Sequence, residues 1–471
     1  MTSHAPDRSA AARPAPPPQP PRPAWPALRQ LLLRLHFYAG VLVAPFVLVA
    51  ALTGLLYVYT PQMEQALYAD QLRVDPGADA LPLQDQVDAA VAAHPGATLS
   101  GVRPATAPDE STRVLLDADG LPEGHRLAVF VDPYTGEALG DLTSYGSSGS
   151  LPVRSWLSEL HRSLHLGDVG RTYSELAASW LWVVALGGTV LWVGRRRARR
   201  RLRRTLLPEG GPAGRGRTLS WHGSAGLWAL AGLLLLSATG LTWSQYAGEN
   251  IGQVRESLGW TTPALSAPAP AEHAGHGGGH AGHGASEPGA DLDRVLESAR
   301  AAGLDGPVEV SVPAGEGAPF TVKETVRRWP VQQDSVAVDS ASGEVVEELR
   351  FDDYPVMAKL TSWGIAFHMG LLFGPANQVL LTLVALSVVA LVCWGYRMWW
   401  LRRPTRDRAL SVGRPLAARG TWRALPWWCL ALVAACALVV GLFLPLFGIS
   451  LLAFLVVDAV LGTRPSRAAA G

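Results

Sequence analysis

The chain has 471 residues, with 40 Lys and Arg against 39 Asp and Glu, a formal net charge of +1. That near balance says little by itself, and no nucleic acid is expected as a partner. Hydrophobic residues make up 48% of the sequence and are gathered in blocks, so the length does not divide into soluble domains.

In chain order, residues 1–30 are rich in Pro and Ala, lack an apolar core and read as a disordered tail. An apolar run follows over 31–60, too long for a signal-peptide core and without a convincing cleavage site, so it is expected to stay as an anchor. Further runs at 175–194, 222–244 and 376–400 are likewise long enough to cross roughly 30 Å of hydrocarbon. A last stretch, 426–463, is broken by Pro445 and Gly448 and is expected as a hairpin of two short helices, making six spans. The loops 195–221 and 401–425 are basic, with Arg195, Arg196, Arg197, Arg402 and Arg403 among their cations. Positive loops stay in the cytoplasm. Both termini, including the tail 464–471, are therefore expected inside a cell (inner) membrane, with 61–174 and 245–375 outside. Cys393, Cys429 and Cys436 all fall in expected spans and form no disulfide framework.

The two outer segments carry matching patterns. Gln84–Ala93 reads as a helix, Arg113–Asp117 and Arg126–Asp132 as strands, and Asp132–Glu137 as a turn. In the second segment Asp291–Ala302 is the helix, Val308–Val312, Phe320–Glu324 and Ser335–Asp339 are strands, and Asp339–Glu344 is the turn. Asp at the start and Gly four residues later suit a tight turn, because Asp bonds nearby backbone and Gly accepts positive φ. The fold class expected is an internally duplicated, α-helical polytopic membrane protein with two small extracytoplasmic α+β modules.

The histidines repeat in register. His36 and His222 each precede a Gly by four residues and a Thr-Gly-Leu by seventeen. His165-Leu166-Gly167 and His368-Met369-Gly370 each precede an apolar span. A polar ring at a membrane depth is costly, so its repetition marks a site, and neutral imidazole is a ligand of haem iron. Packing or interfacial roles are the plain alternatives for each ring. Two ligands must approach a haem from opposite faces, whereas His161 and His165, four apart on one helix, share a face. Repeat symmetry pairs His36 with His222 and His165 with His368. His161 is then left as a substitute ligand, a propionate partner or a substrate contact, with Arg162, Arg171 and Arg34 as further propionate partners. Gly40, Gly54, Gly226 and Gly240 serve either a flat macrocycle or plain helix packing. No Cys-x-x-Cys-His occurs, so haem would be held non-covalently. His273, His276, His280 and His283 lie in a Gly-rich stretch suited to weak binding of Cu or Zn, or to no more than a linker.

The paired His-x3-Gly…Thr-Gly-Leu spans, the two Asp-x3-Gly-Glu turns and Glu159-Leu160-His161-Arg162-Ser163-Leu164-His165 together make residues 28–405 resemble the PepSY-associated transmembrane family. The members it resembles are iron-regulated membrane proteins and haem-containing ferric-siderophore reductases. The resemblance implies PepSY-like outer modules, b-type haem in the bundle and reduction of a ferric substrate outside. The expectation is a membrane oxidoreductase with two bis-His haems b that passes electrons across the lipid to a ferric siderophore. A copper substrate competes, and a haem-free PepSY regulator that binds proteins stands as the rival of another class. A metal importer is a third, with few span carboxylates to support it. No Gly-x-Gly-x-x-Gly fingerprint is present, so a quinol or separate reductase is expected as donor.

Overall fold

In the computed structural model, which describes residues 24–197, 203–210, 213–266, 291–313, 315, 317–402 and 425–463, the apolar runs form a helical bundle. The first span is two helices, α1 (Ala24–Leu42) and α2 (Ala44–Val58), bent by 56°. Pro45 explains the bend: it has no N–H for the carbonyl of Val41, and its ring crowds that turn. The Tyr396 hydroxyl donates to Val41 O instead, at 2.8 Å. Short helices α3 (Thr60–Leu67) and α4 (Ala69–Leu72) lead from the bundle.

A sheet segment follows: helix α5 (Leu83–Ala93), then strands β1 (Thr98–Arg103), β2 (Thr112–Asp117), β3 (His125–Val131) and β4 (Ala138–Tyr145). The chain returns through α6 (Pro152–Ser163) into the long α7 (Gly167–Arg197), then through α8 (Arg203–Leu206) into α9 (Arg215–Thr242). The order then repeats: α10 (Tyr246–Ser257), α11 (Leu292–Ala301), strands β5 (Val308–Ser311), β6 (Phe320–Glu324), β7 (Ser335–Val338) and β8 (Val345–Leu349), and helices α12 (Val356–His368) and α13 (Pro375–Trp400). Among the described residues three helices, α7, α9 and α13, are long and apolar enough to span alone, and the bent α1–α2 makes a fourth.

The expected fifth and sixth spans are the shorter apolar helices α14 (Trp427–Phe443) and α15 (Pro445–Thr463). The break falls at Pro445. Gly448 lies inside α15, where a Cβ would strike the backbone of Gly441, so this glycine pair sets how closely the two helices approach. The hairpin docks by polar contacts that lipid makes costly to leave unmet. Trp180 Nε1 donates to Ser450 Oγ at 2.8 Å, Asn250 Nδ2 donates to Phe443 O at 2.9 Å, and Arg34 pairs with Asp458. Arg34, considered above for a propionate, is thus committed to a carboxylate on α15.

The strands of the two segments come together. They share one antiparallel sheet of eight strands, in the order β4-β3-β2-β1-β5-β6-β7-β8. β1, β4 and β8 add to the strands expected from sequence. The seam is narrow: Gly101 pairs with Ser311 and Val102 with Val310. A Cβ on Gly101 would lie 2.8 Å from Val310 O, which is why this strand carries glycine there. Both turns form as expected, with Gly136 at φ 74° and Gly343 at φ 71°. Val87 and Ala90 of α5 and Val295 and Ala299 of α11 join Val102, Val114, Val310 and Val322 in one continuous core. Asp293 of α11 accepts from Leu83 N and Gln84 N at 2.7 and 3.0 Å, capping the helix of the other segment.

A buried ion cluster reinforces the seam. Glu309 of β5 accepts from Arg103 Nε at 2.6 Å and Arg126 Nη1 at 3.0 Å, both from the first segment. Burial alone would raise the Glu309 pKa, but the two guanidiniums hold it below the ordinary carboxylate value. Its stabilisation is therefore complete above that ordinary value and is lost as pH falls through the depressed one. Glu309→Gln should cost about 3 kcal/mol near neutral pH, the loss expected on breaking a buried pair. The variant should also lose less stability on acidification than the parent. Unfolding midpoints measured in detergent across pH 3–7 would show whether the two curves converge in acid.

Candidate functional site: two facing histidine pairs

At the basic end of the bundle His36 of α1 and His222 of α9 face each other, with ring centroids 6.3 Å apart and planes at 81°. His36 Nδ1 bonds Val184 O of α7, and His222 Nδ1 bonds Leu391 O of α13, both at 3.1 Å. A carbonyl only accepts, so both Nδ1 atoms carry the proton and Nε2 keeps its lone pair. Each accepting carbonyl lies four residues before a glycine, Gly188 or Gly395. A helical carbonyl is overhung by the side chain four residues on, so glycine there uncovers it. The need is strict at Gly188, where a Cβ would sit 2.8 Å from His36 Cε1, whereas Gly395 has open space. Beside the rings lies a cavity of about 380 Å³ whose wall includes Gly40, Gly226, Arg29, Arg215 and Arg402.

At the sheet end the facing rings are His161 of α6 and His368 of α12, also 6.3 Å apart, with planes at 62°. Thr53 Oγ1 donates its single proton to Val49 O at 2.8 Å, so it accepts from His161 Nδ1 at 2.9 Å. Thr239 Oγ1 likewise donates to Leu235 O at 2.7 Å and accepts from His368 Nδ1 at 2.6 Å. Gly54 makes room for its ring, since a Cβ there would lie 3.2 Å from His161 Cε1, whereas one on Gly240 would stand in ordinary contact, 3.9 Å from His368 Cε1. The Thr-Gly of each Thr-Gly-Leu repeat is thus an imidazole seat. Both pairs meet on α9, where His222 and Thr239 are separated by about 25 Å of helix at 1.5 Å per residue.

This arrangement corrects the expected pairing of His165 with His368. α6 ends at Ser163, and Leu164 and His165 take left-handed backbone angles, φ 55° and 57°. His161 and His165 therefore do not share a helix face. His165 turns outward to lie exposed against the Trp156 indole, with centroids 4.8 Å apart. Gly170 makes this reversal sterically accessible, because a Cβ there would collide with Ser163 O. Arg162 pairs with Glu159 on its own helix. The segment with His273, His276, His280 and His283 lies outside the described residues, and among the described residues no group of three or more His, Cys, Asp or Glu side chains could hold a metal ion.

Sequence reasoning found the four facing rings but missed their seats. The Thr-Gly repeat was visible and could have named Thr53 and Thr239. Val184 and Leu391 act through backbone and leave no mark except the glycine four residues later. The family model described as "PepSY-associated TM region" matches residues 33–402 of the chain. No curated protein matches it significantly.

The hydrogen-bond directions require four imidazoles in the Nδ1–H form. Nitrogen-15 NMR of histidine-labelled protein should show this form for His36, His161, His222 and His368. Thr53→Val should shift only His161 and Thr239→Val only His368. Gly188→Ala should displace His36, while Gly395→Ala should leave His222 unmoved.

Proposed function

Because the chain belongs to the PepSY-associated TM family and is a multi-pass membrane protein, we propose that it carries electrons through two b-type haems to a metal substrate outside the cell membrane. The observation that carries the reading is the pair of facing imidazole couples at opposite ends of α9. The rings of each couple, with centroids 6.3 Å apart, stand close enough for both to reach one haem iron between them. All four rings are fixed in the tautomer that leaves Nε2 as the ligand atom, the arrangement that outer hydrogen bonds give to metal-bound histidine. The cavity beside His36 and His222 is apolar through the bundle and arginine-rimmed at its mouth, as an amphiphilic macrocycle requires.

On this reading His36 and His222 would hold one haem iron, and His161 and His368 the other. Arg29, Arg215 and Arg402, which line the cavity at the basic end, would meet the propionates through charge-assisted bonds. Thr53, Thr239 and the carbonyls of Val184 and Leu391 hold each ring at a set angle and keep the ligand nitrogen deprotonated. The apolar helices exclude water between the two sites. Haem supplies reversible one-electron chemistry when bound. The basic end is read as cytoplasmic and the sheet as external by the positive-inside rule. We read the two helix-and-four-strand halves of the sheet as duplicated PepSY modules. A ferric siderophore is the substrate that the family resemblance favours. Copper follows only if the His-rich segment takes part.

Purified protein should hold two haems extractable by acid acetone. His161→Ala and His368→Ala should each remove the same haem, and His36→Ala and His222→Ala the other. His165→Ala should retain both. Pyridine-haemochrome quantification and visible spectra test this directly. A colourless protein from haem-replete cells would favour the regulator reading instead.

A further inference from the structure

A second cavity of about 300 Å³ opens at the basic end, apart from the space around His36 and His222. Its walls include Gly214, Arg217, Thr218 and Trp221 at the start of α9, with Trp394 and Arg397 from the end of α13. The two indoles are in tilted contact, with centroids 6.0 Å apart. The Thr218 hydroxyl is occupied, donating to Gly214 O at 3.1 Å. The guanidiniums are not: among the described residues neither Arg217 nor Arg397 has a hydrogen-bond or ion-pair partner. No acidic side chain stands in the first turn of α9 to neutralise them.

Two cations at one cavity call for an anion with several oxygens, because guanidinium forks match phosphate geometry. Indole walls call for a flat aromatic group. We propose that this cavity binds a phosphate-bearing flat aromatic of the flavin mononucleotide class. On the electron-transfer reading, which this inference uses for its role, the cavity is the docking port of the reduced donor. Trp221 is the chain neighbour of His222, so the cavity lies at the same end of α9 as the inner couple. The missing Gly-x-Gly-x-x-Gly motif does not argue against it, since that motif marks a βαβ fold and not a site built from Arg and Trp at helix ends.

The test is a titration of the detergent-purified full chain with flavin mononucleotide, followed by flavin fluorescence, with haem content measured on the same preparation. Saturable quenching is expected. Arg217→Gln and Arg397→Gln should each weaken binding roughly tenfold, as loss of a charge-assisted bond does. Riboflavin, lacking the phosphate, should bind at least about tenfold more weakly by the same reasoning. Both arginines are exposed, so neither change should disturb the bundle, and Trp221→Phe should reduce quenching in an otherwise intact protein. Equal binding of riboflavin, or no effect of either arginine change, overturns the proposal. Displacement of the flavin by phosphatidylglycerol in nanodiscs at ordinary bilayer content would assign the cavity to a lipid headgroup and also overturn it. Haem-loaded protein that binds no flavin overturns this inference alone. Flavin binding by a protein that takes up no haem leaves the cavity assignment standing and overturns the electron-transfer reading.

Discussion

Everything at the two sites depends on a hydrogen bond from a part-buried imidazole Nδ1 to an oxygen on another helix. In a lipid-facing bundle an unmet N–H costs several kcal/mol, so each ring is drawn to an acceptor. The acceptors differ in kind but not in effect. At the basic end they are the backbone carbonyls of Val184 and Leu391, and at the sheet end they are threonine hydroxyls whose own protons are already given to their helices. Each bond fixes a tautomer, a ring angle and a helix contact together. The glycines Gly54 and Gly188 are the steric counterpart, since either Cβ would enter the space the ring occupies.

The couple at the sheet end depends further on the sheet. Arg103 pairs with Glu309 across the seam and also donates to Ser147 O and Ser148 O, while Arg113 donates to Gly149 O. These carbonyls belong to the turn that enters α6, the helix carrying His161. Glu64 holds the same entrance from the bundle side, accepting from Leu151 N at 2.9 Å and pairing with Arg154. The position of His161 is thus referred both to the seam of the sheet and to the end of the first span. A disturbance at Glu309 has a physical route to the couple at the sheet end, through Arg103 and one turn.

Helix α9 joins the two ends. It is continuous over 28 residues and contributes a ring at one end and a seat at the other. The first span performs the mirror duties, with His36 and Thr53, but is bent at Pro45. Close helix approach sustains this geometry: a Cβ on Gly223 would collide with Trp192, and one on Gly232 would lie 2.7 Å from Val384. Helix α9, with its ring and its seat, is therefore held tightly against α7 and α13.

Sequence alone determined the features whose causes are local. Apolar length marked the four long spans, Pro445 marked the division of the last stretch, and the Asp-x3-Gly-Glu turns formed where Asp and Gly make them cheapest. Register repetition pointed to His36, His222 and His368. Tertiary structure decided what depends on distant partners. The sheet seam rests on two residue pairs some 210 positions apart, and Arg34 meets Asp458 across 424 positions, with no local pattern announcing either. The choice of His161 over His165 turned on two left-handed residues that end α6 one turn earlier than helical spacing suggests. Those angles are unfavourable for Leu164 and His165 on their own. Only the packing of α6 against the first span and of α7 against Ser163 makes them the lower-energy course, and packing of that kind is written in three dimensions.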